Sequence, residues 1–124
     1  ADLALETDHP ELALILCSIG QLNFLRGESE EAEALFAKAL KIADENKKDR
    51  HKVQILYSLA QSLLNRGEYK SAISQAETAA ELCQKTKENN FYKLIQLILA
   101  ETYFRKNKSA RTEEILQIIE KEDV

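Results

Sequence analysis

The side chains in this 124-residue sequence that could do chemistry are few and widely separated. His9 and His51 are the two histidines, Cys17 and Cys83 are the two cysteines, and none of them has a second ligand at the spacing of a metal site. The sequence also offers no glycine-rich phosphate loop and no Ser, His and Asp set that could act together in catalysis. We therefore predict no catalytic residue, no metal site and no cofactor, and we expect that the protein is not an enzyme.

Charge and hydropathy narrow the class of partner. The chain carries 17 Lys and Arg against 21 Asp and Glu, a net charge of -4, and its basic residues are scattered, which argues against nucleic acid and against an anionic membrane. The longest apolar run, Leu12 to Cys17, has six residues and is too short to span a bilayer. Two cysteines without CxxC spacing are typical of a reducing compartment, so we expect a cytoplasmic protein.

The apolar residues recur at helical spacing, and one proline and three glycines leave few positions where a helix would break. Any functional site must therefore be formed by residues on helices. The glutamate pairs Glu30–Glu31 and Glu113–Glu114 then lie in first turns, where carboxylates favour the positive end of the helix dipole. The sequence predicts an all-α fold without strands. Its six helices form three hairpins and span about 10–26, 29–45, 50–66, 69–86, 90–106 and 109–121.

The chain repeats itself at an offset of forty residues, most visibly in RGESEEA at 26–32 and RGEYKSA at 66–72. Asn107 aligns with Gly27 and Gly67, and asparagine is the residue after glycine that best adopts the left-handed conformation that ends a helix. We predict one domain over 1–124 with repeats at about 10–46, 50–88 and 90–121. The positions that match at this offset are Ile15, Ile55 and Ile95; Gly20, Ala60 and Ala100; and Phe24, Leu64 and Phe104.

These residues resemble the tetratricopeptide repeat family. The family pattern of a large residue, x2, Leu-Gly, followed by Ala-x3-Phe in the second helix, is met by Leu16, Ile19 and Gly20, and then by Ala32 and Phe36. The resemblance implies a right-handed superhelical stack of helix-turn-helix hairpins and a role as a protein-interaction scaffold. The 40-residue unit and the Asp-His-Pro motif at 8–10 are similar to kinesin-light-chain-like repeats. The later copies offer Leu56, Leu59, Ala60, Ala72 and Ala76, and Leu99, Ala100 and Tyr103.

The resemblance also implies that the first helix of each hairpin lines a concave groove. Two apolar rows beside one row of amides and an acid would make a trough for an extended peptide or a helix of a partner protein. The alternative is that some of these side chains pack between adjacent helices. The predicted partner-binding residues are Phe24, Leu64 and Phe104 in one apolar row, Cys17, Tyr57 and Leu97 in the other, and Gln21, Gln61 and Glu101 in the polar row.

Members of the family that bind chaperone tails hold a terminal carboxylate with a Lys and Asn pair on the first helix. Cys17 and Gln21 stand at those places here, and the groove cation Arg105 is opposed by Glu101 four residues earlier. A carboxylate stripped of water needs charge-assisted donors, so the sequence argues against this mode of binding.

A second hypothesis is a structural or self-associating segment, or the sensor portion of a larger regulator. The last predicted helix exposes an apolar surface that no following helix covers, and natural arrays end in a helix with a polar outer face. We expect the chain to be a segment of a longer array, since ADLALET at 1–7 is typical of the tail of a preceding helix. The residues predicted for self-association are Ile115, Leu116, Ile118 and Ile119.

Overall fold

A computed structural model describes residues 9–122 of the protein, without the side chains of Thr112, Ile119 and Glu122. The predicted tail of a preceding helix therefore lies outside the described residues. Residues 9–122 contain helices and turns and no strand, which confirms the all-α prediction. The helices are α1 (Glu11–Leu25), α2 (Ser29–Glu45), α3 (Asp49–Asn65), α4 (Tyr69–Thr86) and α5 (Asn89–Glu122).

The first four helices form two hairpins that stack on each other. α1 packs on α2 and α3 on α4, while α2 contacts α3 and α4 contacts α5, so each helix packs on the next. α1 also contacts α3, and α3 contacts α5, which places the first helices of successive units side by side. The predicted bounds of α1 to α4 are confirmed to within one residue.

A left-handed residue ends each of the first four helices, and these residues recur every twenty positions. Gly27 and Gly67 both have φ of 81°, Lys47 has φ of 54° and Lys87 has φ of 60°. The amide of the next residue donates to a carbonyl five positions back, which satisfies one free carbonyl of the last helical turn. These bonds are Glu28–Asn23 at 2.8 Å, Lys48–Ala43 and Glu68–Leu63 at 2.9 Å, and Glu88–Cys83 at 3.0 Å.

Small residues set the spacing within each hairpin. A Cβ atom at Gly20 of α1 would lie 2.7 Å from Cε1 of Phe36, whose side chain fills this position from α2 with 1% of its surface exposed. The second hairpin has Ala60 and Ala76 at the same two places, both buried in one cluster. The first core thus has one glycine and one ring at these two places, whereas the second has two alanines.

The predicted third hairpin does not form. α5 runs as one helix of 34 residues from Asn89 to Glu122, so the predicted break near 106–109 and the separate helix at 109–121 are wrong. Asn107 lies inside α5 and does not end a helix. Lys106 to Ser109 contain neither glycine nor proline, so no residue forces the helix to end, and the backbone avoids the cost of a left-handed residue that Lys47 and Lys87 bear at the turns between helices.

Candidate functional site

A shallow cavity marks the place where α1, α3 and α5 meet. It has a volume of about 170 Å³, and side chains from all three helices line it. Four of the predicted partner-binding residues lie together here, because the forty-residue offset places equivalent positions of successive first helices side by side. The lining residues are Phe24 of α1, Gln61, Leu64 and Asn65 of α3, and Ile98, Glu101 and Arg105 of α5.

The polar wall of this cavity keeps donors within reach of a partner. Arg105 Nη2 lies 3.6 Å from Glu101 Oε2, and about half of each side chain is exposed. An ion pair that is exposed to water contributes little to the stability of the protein, so both side chains can form new contacts with a partner at a low cost in free energy. Gln61 donates from Nε2 to the hydroxyl of Tyr57 at 3.2 Å, which leaves its second N–H and its carbonyl for other bonds.

The second predicted amide, Gln21, serves to join α1 to α3. Its Nε2 donates to Ser58 Oγ at 2.8 Å, and the Cys17 thiol lies 3.7 Å from the same hydroxyl oxygen. Cys17 has 1% of its surface exposed and belongs to the first core cluster. Burial raises the pKa of the Cys17 thiol, and the hydrogen bond to Ser58 opposes that shift. Cys17 is therefore a core residue and offers no surface to a partner.

The remaining members of the second apolar row differ in exposure. The Tyr57 ring meets Phe91 of α5 edge to face, with ring centroids 6.0 Å apart, and so helps to hold α5 against α3. Leu97 is 66% exposed one helical turn before Glu101. Leu64 lines the cavity but is only 5% exposed, so it offers little free surface to a partner.

Phe104 does not line the same cavity as Phe24 and Leu64. It is 66% exposed and borders a separate depression of about 450 Å³ with Asn107, Lys108, Arg111 and Ile115. α5 instead presents Ile98 to the cavity, a residue that the sequence reasoning missed, as it missed Asn65. Asn65 could have been found, because it lies one repeat before Arg105 in the same register.

Among residues 9–122, no group of three His, Cys, Asp or Glu side chains could hold a metal ion. Over the same described residues, no helix is both long and apolar enough to cross a membrane.

Stacked helical hairpins whose first helices contact each other define a helical-repeat protein. The family model for the tetratricopeptide repeat matches residues 13–46 and 53–86, two segments of 34 residues that together cover more than half of the chain. The chain belongs to the tetratricopeptide repeat family, whose repeats are generally protein–protein interaction modules and typically not enzymes. Searches of curated proteins and of solved structures gave no match.

Proposed function

We propose that the protein is an interaction scaffold that binds an extended peptide or a helix of a partner protein on the concave surface of α1, α3 and α5. The observation that carries this proposal is the cavity to which Phe24, Gln61 and Arg105 contribute from three different helices. Apolar surface beside a few oriented polar groups is the usual composition of a site for a peptide or ligand.

The surface favours a partner segment with one apolar anchor and a free backbone. Phe24 is half-buried and can cover an inserted apolar side chain, while Gln61 can pair with backbone groups. Arg105 is already opposed by Glu101, so the site offers little net positive charge to a terminal carboxylate. This balance supports internal segments of a partner over the capture of a chain terminus.

A displayed library of random peptides, selected on the wild-type chain, supplies a probe that requires no knowledge of the natural partner. Phe24→Gln should raise the dissociation constants of the selected peptides at least about tenfold, because an aromatic anchor contributes about 2 kcal/mol to an interface. Leu25→Gln is the matched control, since Leu25 is adjacent in sequence and 78% exposed. Isothermal titration calorimetry would give both dissociation constants.

Stability must be measured alongside binding, because Phe24 also packs against the first core cluster. We expect Phe24→Gln to cost less stability than Ile55→Gln, because Phe24 is half-buried whereas Ile55 is fully buried in the first core cluster. The proposal fails if selected peptides bind Phe24→Gln and Leu25→Gln equally well. It also fails if Phe24→Gln unfolds the chain as Ile55→Gln does, since Phe24 would then be a core residue.

We also propose a finer place within the family. The matched segments begin at residues 13 and 53, an offset of 40, which favours the longer repeats of kinesin-light-chain-like arrays.

The state of the two cysteines supports a location in the cytoplasm. Both cysteines are free and buried, as is typical of proteins in a reducing compartment.

A further inference from the structure

α5 carries two apolar surfaces that nothing covers within the described chain. In its first half, Ala100 is exposed, although the equivalent residues Gly20 and Ala60 are buried under the second helix of their hairpins. In its second half, Leu116 is 53% exposed, whereas its equivalents Phe36 and Ala76 are buried. Ala100 and Leu116 therefore lack the contact that their counterparts make.

The geometry of α5 prevents Ala100 from contacting Leu116 of its own chain. Sixteen residues of α-helix separate them by about 24 Å along the axis. In the first hairpin, Gly20 contacts Phe36, and the turn lies at their midpoint, beside Gly27. The turn that would bring Ala100 and Leu116 together would lie midway between them, at residue 108. That residue lies inside α5, where the chain does not turn.

We propose that two copies of the chain pair through α5, antiparallel about a two-fold axis near residue 108. In this dimer the 109–122 segment of each copy takes the place of the missing second helix on the 93–106 face of the other. Ala100 then contacts the partner's Leu116, and the reverse contact forms by symmetry. The exchange restores, between chains, the pairing that both hairpins make within the chain.

Charge favours a second copy as the occupant of this surface. Antiparallel pairing places a half-helix of charge +2 against one of charge -1, whereas parallel pairing would set like against like. Residues 89–106 carry Lys93, Arg105 and Lys106 against Glu101, and residues 109–121 carry Glu113, Glu114 and Glu120 against Arg111 and Lys121.

The turn inside a hairpin has glycine at 27 and 67 and asparagine at 107, and this difference favours exchange at the third hairpin. Left-handed residues end helices at 27, 47, 67 and 87, and the next position of that series, 107, is helical. Asn107 adopts the left-handed conformation less readily than glycine, so a straight hinge costs less here than at Gly27 or Gly67. Straightening a turn while keeping the hairpin contacts is how domain swapping arises.

Sedimentation equilibrium of the full chain, from about 1 to about 300 μM, tests the proposal. We expect a dimer, and we expect Ala100→Glu and Leu116→Lys each to raise its dissociation constant at least about tenfold. Ile118→Lys is the matched control, because Ile118 is 56% exposed and its repeat equivalents, Lys38 and Thr78, are exposed as well. All three changes lie at exposed positions, so circular dichroism should show unchanged helicity.

Mixing the two disruptive variants tests the antiparallel register directly. A heterodimer of Ala100→Glu with Leu116→Lys contains one native contact and one Glu–Lys contact, so the mixture should dimerise more tightly than either variant alone. A wild-type monomer at the highest concentration would overturn the proposal, as would a mixture that dimerises no more tightly than either variant. Equal disruption by Ile118→Lys would overturn it too. So would a disulfide formed within one chain by Ala100→Cys with Leu116→Cys, since the third hairpin would then close on itself.

Discussion

At the residue scale, the contact between Gly20 and Phe36 shows how the absence of one Cβ atom allows the two helices of a hairpin to pack closely. We expect Gly20→Ala to lower the free energy of unfolding by about 1 kcal/mol or more, because the added methyl group would lie 2.7 Å from a ring that is 1% exposed. In a Phe36→Ala background the same change should be neutral or stabilising by up to about 1 kcal/mol, since alanine favours helix over glycine. A double-mutant cycle in urea measures both values. An equal cost in the two backgrounds would show that the ring is not what excludes the methyl group.

The residues around the cavity show which part of the candidate site the sequence could predict. The repeat register brought Phe24, Gln61, Leu64 and Glu101 to one place, because equivalent positions of successive first helices are neighbours. The register carried no information on burial. Cys17 is buried in the first core cluster, and its thiol and the Gln21 amide both donate to the hydroxyl of Ser58, a match among three particular side chains.

At the element scale, the four observed turns differ in what their left-handed residue costs. Gly67→Val should destabilise by about 1–2 kcal/mol, entirely through the backbone, since a Cβ at Gly67 would meet no atom within 4 Å. Lys47→Gly should stabilise the protein by about 1 kcal/mol, because Lys47 has φ of 54°, a conformation that is sterically unfavourable for a residue with a Cβ atom. Urea denaturation measures both changes. If Gly67→Val left stability unchanged, the positive φ at this turn would be wrong.

The first four helices could be predicted to within one residue because each is bounded by residues that oppose helix continuation. Gly27 and Gly67 end two of them, and the polar segments ENKKD at 45–49 and KENN at 87–90 mark the other two turns. The segment KNKS at 106–109 is just as polar, yet α5 continues through it. Polarity marks where a turn can form, whereas a turn at this position also needs a second helix that packs well enough to offset the left-handed residue.

At the scale of the whole molecule, an ion pair and a hydrogen bond couple the two hairpins. Glu33 of α2 accepts a hydrogen bond from Ser62 Oγ of α3 at 2.9 Å and pairs with Arg66 through its other carboxylate oxygen. The repeat pattern could not predict this contact, because Ile73 stands at the Glu33 position of the second repeat. Contacts between repeats decide whether such a stack unfolds as one unit.

We expect Glu33→Ala to destabilise the chain by about 1–3 kcal/mol, because Ser62 is fully buried and its hydroxyl would lose its charged acceptor. Asp44→Ala is the matched control: Asp44 pairs with Lys52 across the next turn, but 73% of its side chain is exposed, so the loss should be about 0.5 kcal/mol or less. Because Glu33 joins the hairpins, hydrogen exchange in Glu33→Ala should accelerate more in α1 and α2 than in α3 and α4, which keep α5 as a neighbour. Uniform acceleration across all four helices would mean that the chain unfolds as a single unit and that this contact contributes to global stability without separating the hairpins.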